Sequence, residues 1–283
     1  MNIPSDKIPS DFHAGESDNT GAGGVGHLKG LRVAVTGGTS GLGLALVREL
    51  LSRGARVAFV ARTAERVRLV ARENPDAHGI VGDVSSKEDI YPIALQVTGE
   101  LGGLDVLVNN ASDLGPVPLA MLSDTECEDL ERAFATNVLG PFRLTKALMG
   151  ALASSARDGR GAVVLNVVSD AAFNAYPTWG AYGASKAALH QLSRVWDEEH
   201  AADGVRFLSL DPGDMDTPMH AAAIPDADTS TLKRPEQAAR ELADAIAAAL
   251  PRRDAHSAPS ESAQESIQES VQDSIKELEG AVL

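Results

Sequence analysis

The sequence predicts an α/β fold with a doubly wound parallel sheet, and three observations predict it. Short Val, Ala and Leu runs recur between longer amphipathic stretches from Leu31 to Leu250. The runs are nearly continuous rather than alternating in hydrophobicity, as strands covered on both faces must be. The 283 residues suffice to bury a large core without disulfides or metals.

Taken in order, Leu31–Thr36 is the first strand, and glycines lead from it directly into the helical stretch Leu42–Arg53. Arg56–Val60 and Ala64–Arg72 form the second strand and helix, and Gly79–Gly82 and Lys87–Leu101 the third. Asp105–Asn109 precedes a long helix at Leu130–Ser154, and Ala162–Val168 precedes another at Tyr182–Ala202. Val205–Leu210 and Pro235–Leu250 close the pattern. Right-handed crossovers between parallel strands put helices on both faces. Aromatic residues make up only 4% of the chain, so the core should be aliphatic.

The net charge of −15 argues against a nucleic-acid partner, which would require a basic surface. That charge is unevenly placed, with −6 in residues 254–283, −2 in 1–30 and −7 between them. Residues 1–27, rich in Gly, Ser, Asp and Pro, read as a disordered arm, and 28–253 as the folded domain. The tail 254–283 is acidic, with Ile267, Val271, Ile275 and Leu278 at helical spacing, which allows a short amphipathic helix. A single cysteine, Cys127, and the lack of an apolar leader or membrane-length run point to a cytoplasmic protein with no membrane partner. Scattered histidines without metal-ligand spacing predict no metal site.

The segment Gly21–Gly26 imitates a phosphate loop but follows no strand. Thr36-Gly37-Gly38-Thr39-Ser40-Gly41-Leu42-Gly43 has the required strand before it and helix after it, and predicts a dinucleotide site. Gly37 permits the turn, Gly41 lets backbone approach a pyrophosphate, and Gly43 lets helix pack on strand. The phosphates then sit on the helix N-terminus, where unpaired N–H groups favour anions. At the end of the second strand an acid would read the ribose hydroxyls, but the chain has Ala61 followed by Arg62. A guanidinium suits a phosphate monoester, so NADPH is expected ahead of NADH, with NAD still usable.

Tyr182 and Lys186 are four residues apart, on one face of one helix. A Lys ammonium near the phenol would lower its pKa from about 10 and fit it for proton transfer at neutral pH. Ser169, thirteen residues before Tyr182 at the end of the fifth strand, could hold a substrate oxygen.

With these motifs in this order, the stretch from about Gly30 to Met219 resembles the short-chain dehydrogenase/reductase family in its single-domain form. The glycine loop is similar to the family's TGxxxGxG, Asp83-Val84 to its adenine contact, and Asn109-Asn110-Ala111-Ser112 to NNAG, which implies Asn109 and Ala111 at the cofactor, with Ser112 in place of the usual glycine. Asn137 falls where the family has the helix Asn of its proton relay, and Ser169, Tyr182 and Lys186 match the rest of the tetrad. Asp211 to Thr217 resembles the Pro-Gly stretch, with Pro212 and Gly213 at the cofactor and Thr217 on the nicotinamide carboxamide. The resemblance implies a Rossmann fold, an active oxidoreductase, and assembly as a homodimer or tetramer. One departure is the lack of a seventh strand after Leu250, which leaves six strands in the order 3-2-1-4-5-6 and favours a dimer through 130–154 and 182–202.

Substrate residues are less legible. The loops Asp113–Pro118, Asp170–Trp179 and Asp214–Asp228 should surround the nicotinamide. Acids at Asp170, Asp214 and Asp216 make an anionic substrate a poor fit, and His190 and His220 read as surface residues. The expected activity is carbonyl reduction, or the reverse alcohol oxidation, on a small neutral or apolar molecule. The alternative is a non-catalytic dinucleotide-binding regulator or scaffold whose tail recruits a partner.

Overall fold

Six parallel strands form one sheet in a computed structural model that describes residues 28–251. The expected arm 1–27, the loop imitation within it and the acidic tail 254–283 lie outside the described residues. The strands are β1 (Arg32–Thr36), β2 (Arg56–Ala61), β3 (Ala77–Val81), β4 (Val106–Asn109), β5 (Ala162–Val167) and β6 (Val205–Leu210). Their spatial order, β3-β2-β1-β4-β5-β6, is the expected one.

Each apolar run divides between two cores because successive side chains point to opposite faces. Val33 and Val35 of β1 join the cluster that packs on α1 (Gly41–Ser52) and α8 (Pro235–Ala249). Ala34 joins the opposite cluster, built on α3 (Ile90–Leu101) and α5 (Gly140–Arg157). Leu46 and Leu50 on one face, and Leu144, Leu148 and Leu152 on the other, fill these layers at helical spacing. The layers are aliphatic, as the composition predicts; Phe59 and Phe207 are the buried aromatic residues among those described.

The remaining helices are α2 (Ala64–Glu73), α4 (Cys127–Phe134), α6 (Gly180–His200) and the short α7 (Pro218–Ala223). The single helix expected over Leu130–Ser154 is instead α4, a π-helical turn at Ala135–Leu139, and α5. Hydrophobic period cannot register that one-turn change of pitch, which commonly marks functional sites. Gly140 follows the turn, where a Cβ would lie 2.8 Å from the Val84 carbonyl oxygen. No helix among the described residues is long and apolar enough to cross a membrane.

Candidate active site

A cavity of about 590 Å³ follows the carboxyl edge of the sheet. Its first wall is the turn after β1. Gly37 sits at φ 70, where only glycine is unstrained, and a Cβ there would lie 2.9 Å from Ala111 Cα. The turn is tied to the end of β4: Asn110 Nδ2 donates to the Thr36 carbonyl at 2.8 Å, and the Ala111 N–H donates to Thr36 Oγ1 at 3.1 Å. At Gly43 a Cβ would be 2.2 Å from the Gly37 carbonyl oxygen, so α1 closes on the turn only without a side chain. Ser40 caps α1 without a side-chain hydrogen bond, which leaves first-turn N–H groups available for an anion.

Gly37, Thr39, Ser40, Gly41, Leu42 and Gly43 line this wall. Arg62 and Asp83 line the next part, 4.0 Å apart, with Val84 beside them. Asp83 is held by the Ser85 N–H at 2.9 Å and the Ser85 hydroxyl at 2.7 Å. Arg66, in the first turn of α2, also lines the cavity; its approach depends on how α2 leaves β2, which the sequence does not reveal. Ala111, Pro212, Gly213 and Thr217, expected at the cofactor, also line the cavity. Asn109 does not reach it. The β4 pleat turns Asn109 with Leu107 toward α5, and its Nδ2 donates to Asn166 Oδ1 at 2.8 Å and Thr145 Oγ1 at 3.3 Å. Its neighbour Asn110 takes the place at the wall.

The other end of the cavity holds Ser169, Tyr182 and Lys186 together. Lys186 is 2% exposed; its Nζ lies 5.5 Å from the centre of the Tyr182 ring and donates to the Val167 carbonyl at 2.8 Å. Burial pushes the Lys186 pKa down to about 7. Tyr182 goes the other way, up to about 12, chiefly because burial disfavours a phenolate; Asp211 and Asp170 add to the rise, while the Ser169 and Ser112 hydroxyls oppose it. The expected lowering of the Tyr182 pKa by Lys186 is therefore not found. The burial that lowers the Lys186 pKa also weakens it as a source of fixed positive charge.

Ser169 lies two residues beyond β5, caps a short turn by accepting the Ala171 N–H at 3.2 Å, and donates to Asp170 Oδ1 at 3.1 Å. Asn137 is fully buried in the π turn rather than at the wall. Its Nδ2 donates to Ser185 Oγ and to the Asp113 carbonyl, both at 2.8 Å. Its Oδ1 accepts from the Asp113 N–H at 2.8 Å and Ser112 Oγ at 3.1 Å. Ser185 Oγ in turn donates to the Tyr182 carbonyl at 2.7 Å, so Asn137 anchors the helix that carries the phenol.

Around the mouth, Tyr176 donates to Asp170 Oδ2 at 2.7 Å and Trp179 packs edge-on against Tyr182 with ring centres 5.6 Å apart. Asp170, Asp211 and Asp214 line the cavity, whereas Asp216 turns to Arg234 at 3.5 Å. His220, expected at the surface, lines the cavity from α7, which no sequence pattern shows because its side is fixed by the Thr217 cap. His190 faces Ser209 Oγ at 3.1 Å. The loop Asp113–Pro118 walls an adjoining cavity of about 460 Å³. Among the described residues, no cluster of His, Cys, Asp and Glu is placed to hold a metal ion.

The family profile described as short chain dehydrogenase matches residues 32–228. The 2-(R)-hydroxypropyl-CoM dehydrogenase of Xanthobacter autotrophicus is 34% identical over 194 residues, 66% of this chain and 76% of that one. A 3-ketoacyl-(acyl-carrier-protein) reductase from Brucella melitensis, complexed with NADH, superposes with a TM-score of 0.71 at 26% identity, over 76% of this chain and 90% of that one. A short chain dehydrogenase from Shigella flexneri, complexed with NADP, gives 0.71 at 26% identity, over 78% and 92%.

Proposed function

This chain belongs to the short-chain dehydrogenase family, and on that premise we propose that it moves hydride between NADPH and the carbonyl of a small neutral or apolar ketone or aldehyde, or from the corresponding alcohol. The observation that carries the reading is one continuous cavity lined at one end by the glycine turn and Arg62 and at the other by Ser169, Tyr182 and Lys186. The cradle fits a dinucleotide, because Gly37 and Gly43 let the turn, the end of β4 and α1 close on one another, and α1 offers uncapped N–H groups toward the cavity.

The bound cofactor supplies the hydride. The turn from Gly37 to Gly43 holds its pyrophosphate, Arg62 its 2′-phosphate, and Asp83 and Val84 its adenine. Ala111, Pro212, Gly213 and Thr217 form the nicotinamide side. NADP in the Shigella relative and NADH in the Brucella reductase bracket the choice. Arg62, with Ala61 where an acid would oppose a phosphate, supports NADP.

At the other end Tyr182 gives its proton to the substrate oxygen in reduction and takes it back in oxidation. Burial keeps the phenol protonated at neutral pH, the state in which Tyr182 gives its proton to the substrate oxygen. Ser169 directs the substrate oxygen toward Tyr182, Lys186 binds the nicotinamide ribose, and Asn137 fixes the helix beneath them. Activity is tested by following nicotinamide absorbance with NADPH or NADH against a panel of aldehydes, ketones and quinones. Oxidation of NADPH with at least one of them is expected. Tight NADPH binding with no turnover across the panel would contradict the reading.

A further inference from the structure

The loop after β4 and the short helix α7 enclose a second cavity, of about 460 Å³, beside the one that holds Ser169, Tyr182 and Lys186. Ser112, Leu114 and Met219 line both, so the two meet at those residues. The proposed reaction uses the first cavity and leaves the second unassigned.

The loop side of this slot is held in place. Gly115 sits at φ 84, where a Cβ would come 2.9 Å from Ala181 Cβ, so only glycine lets the loop lie this close to α6. Its N–H donates to Asp113 Oδ1 at 2.8 Å, and its carbonyl accepts from Arg132 Nη2 at 2.5 Å. Arg132 also donates from Nε to Asp113 at 3.3 Å and from Nη1 to Asp129 at 2.6 Å, so each of its nitrogens has an acceptor. One cation between two carboxylates leaves this side of the slot net negative. An anionic group entering here would meet like charge, with the guanidinium taken.

The other lining side chains are apolar, apart from Ser112, whose hydroxyl donates to Asn137 Oδ1 at 3.1 Å. Leu114, Pro116 and Val117 come from the loop, and Met219 and Ala222 from α7. Val117 is 55% exposed and Met219 36%, which is apolar area that a ligand could cover.

We propose that this slot takes one arm of the substrate, an uncharged aliphatic chain on the carbonyl or alcohol carbon, which leaves the reacting centre between Leu114 and Met219. The inference rests on hydride transfer at Ser169, Tyr182 and Lys186. It narrows the substrate class to carbonyl compounds and alcohols with an extended apolar arm, and it disfavours an arm that ends in a carboxylate.

The test compares butan-2-one, hexan-2-one and 5-oxohexanoate in two ways. One is kcat/KM with NADPH in the parent; the other is calorimetric affinity for NADPH-loaded Tyr182→Phe, which reads binding without turnover. Covering two more methylenes should place hexan-2-one about tenfold above butan-2-one in both measurements. The carboxylate of 5-oxohexanoate should remove about tenfold relative to hexan-2-one. Ala222→Phe, at an exposed position of α7, fills the slot and should erase the hexan-2-one advantage. Val117→Phe, on the loop, should do the same and covers the case in which the first substitution disturbs α7. Equal values for the two ketones, or an advantage that survives both substitutions, would overturn the proposal. A tenfold binding advantage in Tyr182→Phe with no turnover of any carbonyl by the parent would keep the slot and remove the hydride-transfer reading instead.

Discussion

At the amino edge of the sheet Asp105 is wholly buried, yet its carboxylate accepts from Arg32 and Arg160 side chains at 2.5 to 3.1 Å, from Ser155 Oγ at 2.5 Å and from the Arg32 N–H at 2.8 Å. At the carboxyl edge Lys186 is just as deeply buried and has the Val167 carbonyl at 2.8 Å, with Asp211 as the acid that acts on it. The partners hold the Asp105 carboxyl far below the usual carboxylate range despite burial, whereas burial pulls Lys186 down to about 7. A buried charge with its partners contributes to folding once they are in place, and one without them costs stability that a functional site can use. The first arrangement fixes the start of three strands; the second leaves a group able to interact with something that is not protein.

The comparison breaks most visibly at Lys186. Lys186→Met should lower turnover at least about a hundredfold while the ligand-free melting temperature holds or rises. A lysine displaced from 10.5 to about 7 represents roughly 5 kcal/mol that the charged form costs the fold. Melting followed by circular dichroism and turnover on the same preparation check this, and a melting point that falls with activity would make Lys186 a structural residue.

Asp105→Asn should do the reverse. Leaving Arg32 and Arg160 without their buried anion should cost about 3–5 kcal/mol, or roughly 10 °C in melting temperature for a domain of this size. Activity below the new transition should be nearly unchanged. A melting point within a degree or two of the parent would mean that the amino edge is not held by this cluster.

pH separates the two edges further. Asp105 binds a proton less readily folded than unfolded, so its contribution is present above the unfolded value of about 4 and is lost as pH falls through the lower folded value. Lys186 also binds its proton less readily when folded. Its penalty is full below about 7 and fades as pH approaches the unfolded value of about 10.4. Denaturant titrations of the ligand-free chain should show stability gained across that alkaline interval in the parent and not in Lys186→Met.

The smallest expected effect is at the cofactor end, where Arg62 is 64% exposed. Arg62→Ala should weaken NADPH about tenfold and leave NADH within about twofold, measured by fluorescence titration. Equal losses for both would mean that Arg62 does not read the 2′-phosphate.

These contrasts also mark what the sequence could reveal. The glycine turn, Ser169, Tyr182 and Lys186 were legible because each is a local pattern in a fixed order along the chain, and the strand order because the resemblance those motifs carry implies it. Apolar runs and helical period carried the layers. Asn109 was misplaced because its neighbour shares its chemistry, and only the pleat of β4 decides which asparagine reaches the cavity. The π turn around Asn137, the wall position of His220 and the approach of Arg66 depend on helix pitch and on how helices leave strands. The balance of protonation at Tyr182 and Lys186 was hidden for a related reason. Spacing shows that the pair is adjacent, but burial, the largest influence on both groups, is set by the whole tertiary structure.

The most direct test of hydride transfer through this site is Tyr182→Phe, assayed for turnover with the carbonyl panel and for NADPH affinity on one preparation. Turnover should fall by at least about a thousandfold while affinity stays within about twofold of the parent. Retained turnover would contradict the account, because the phenol would then not be the proton donor.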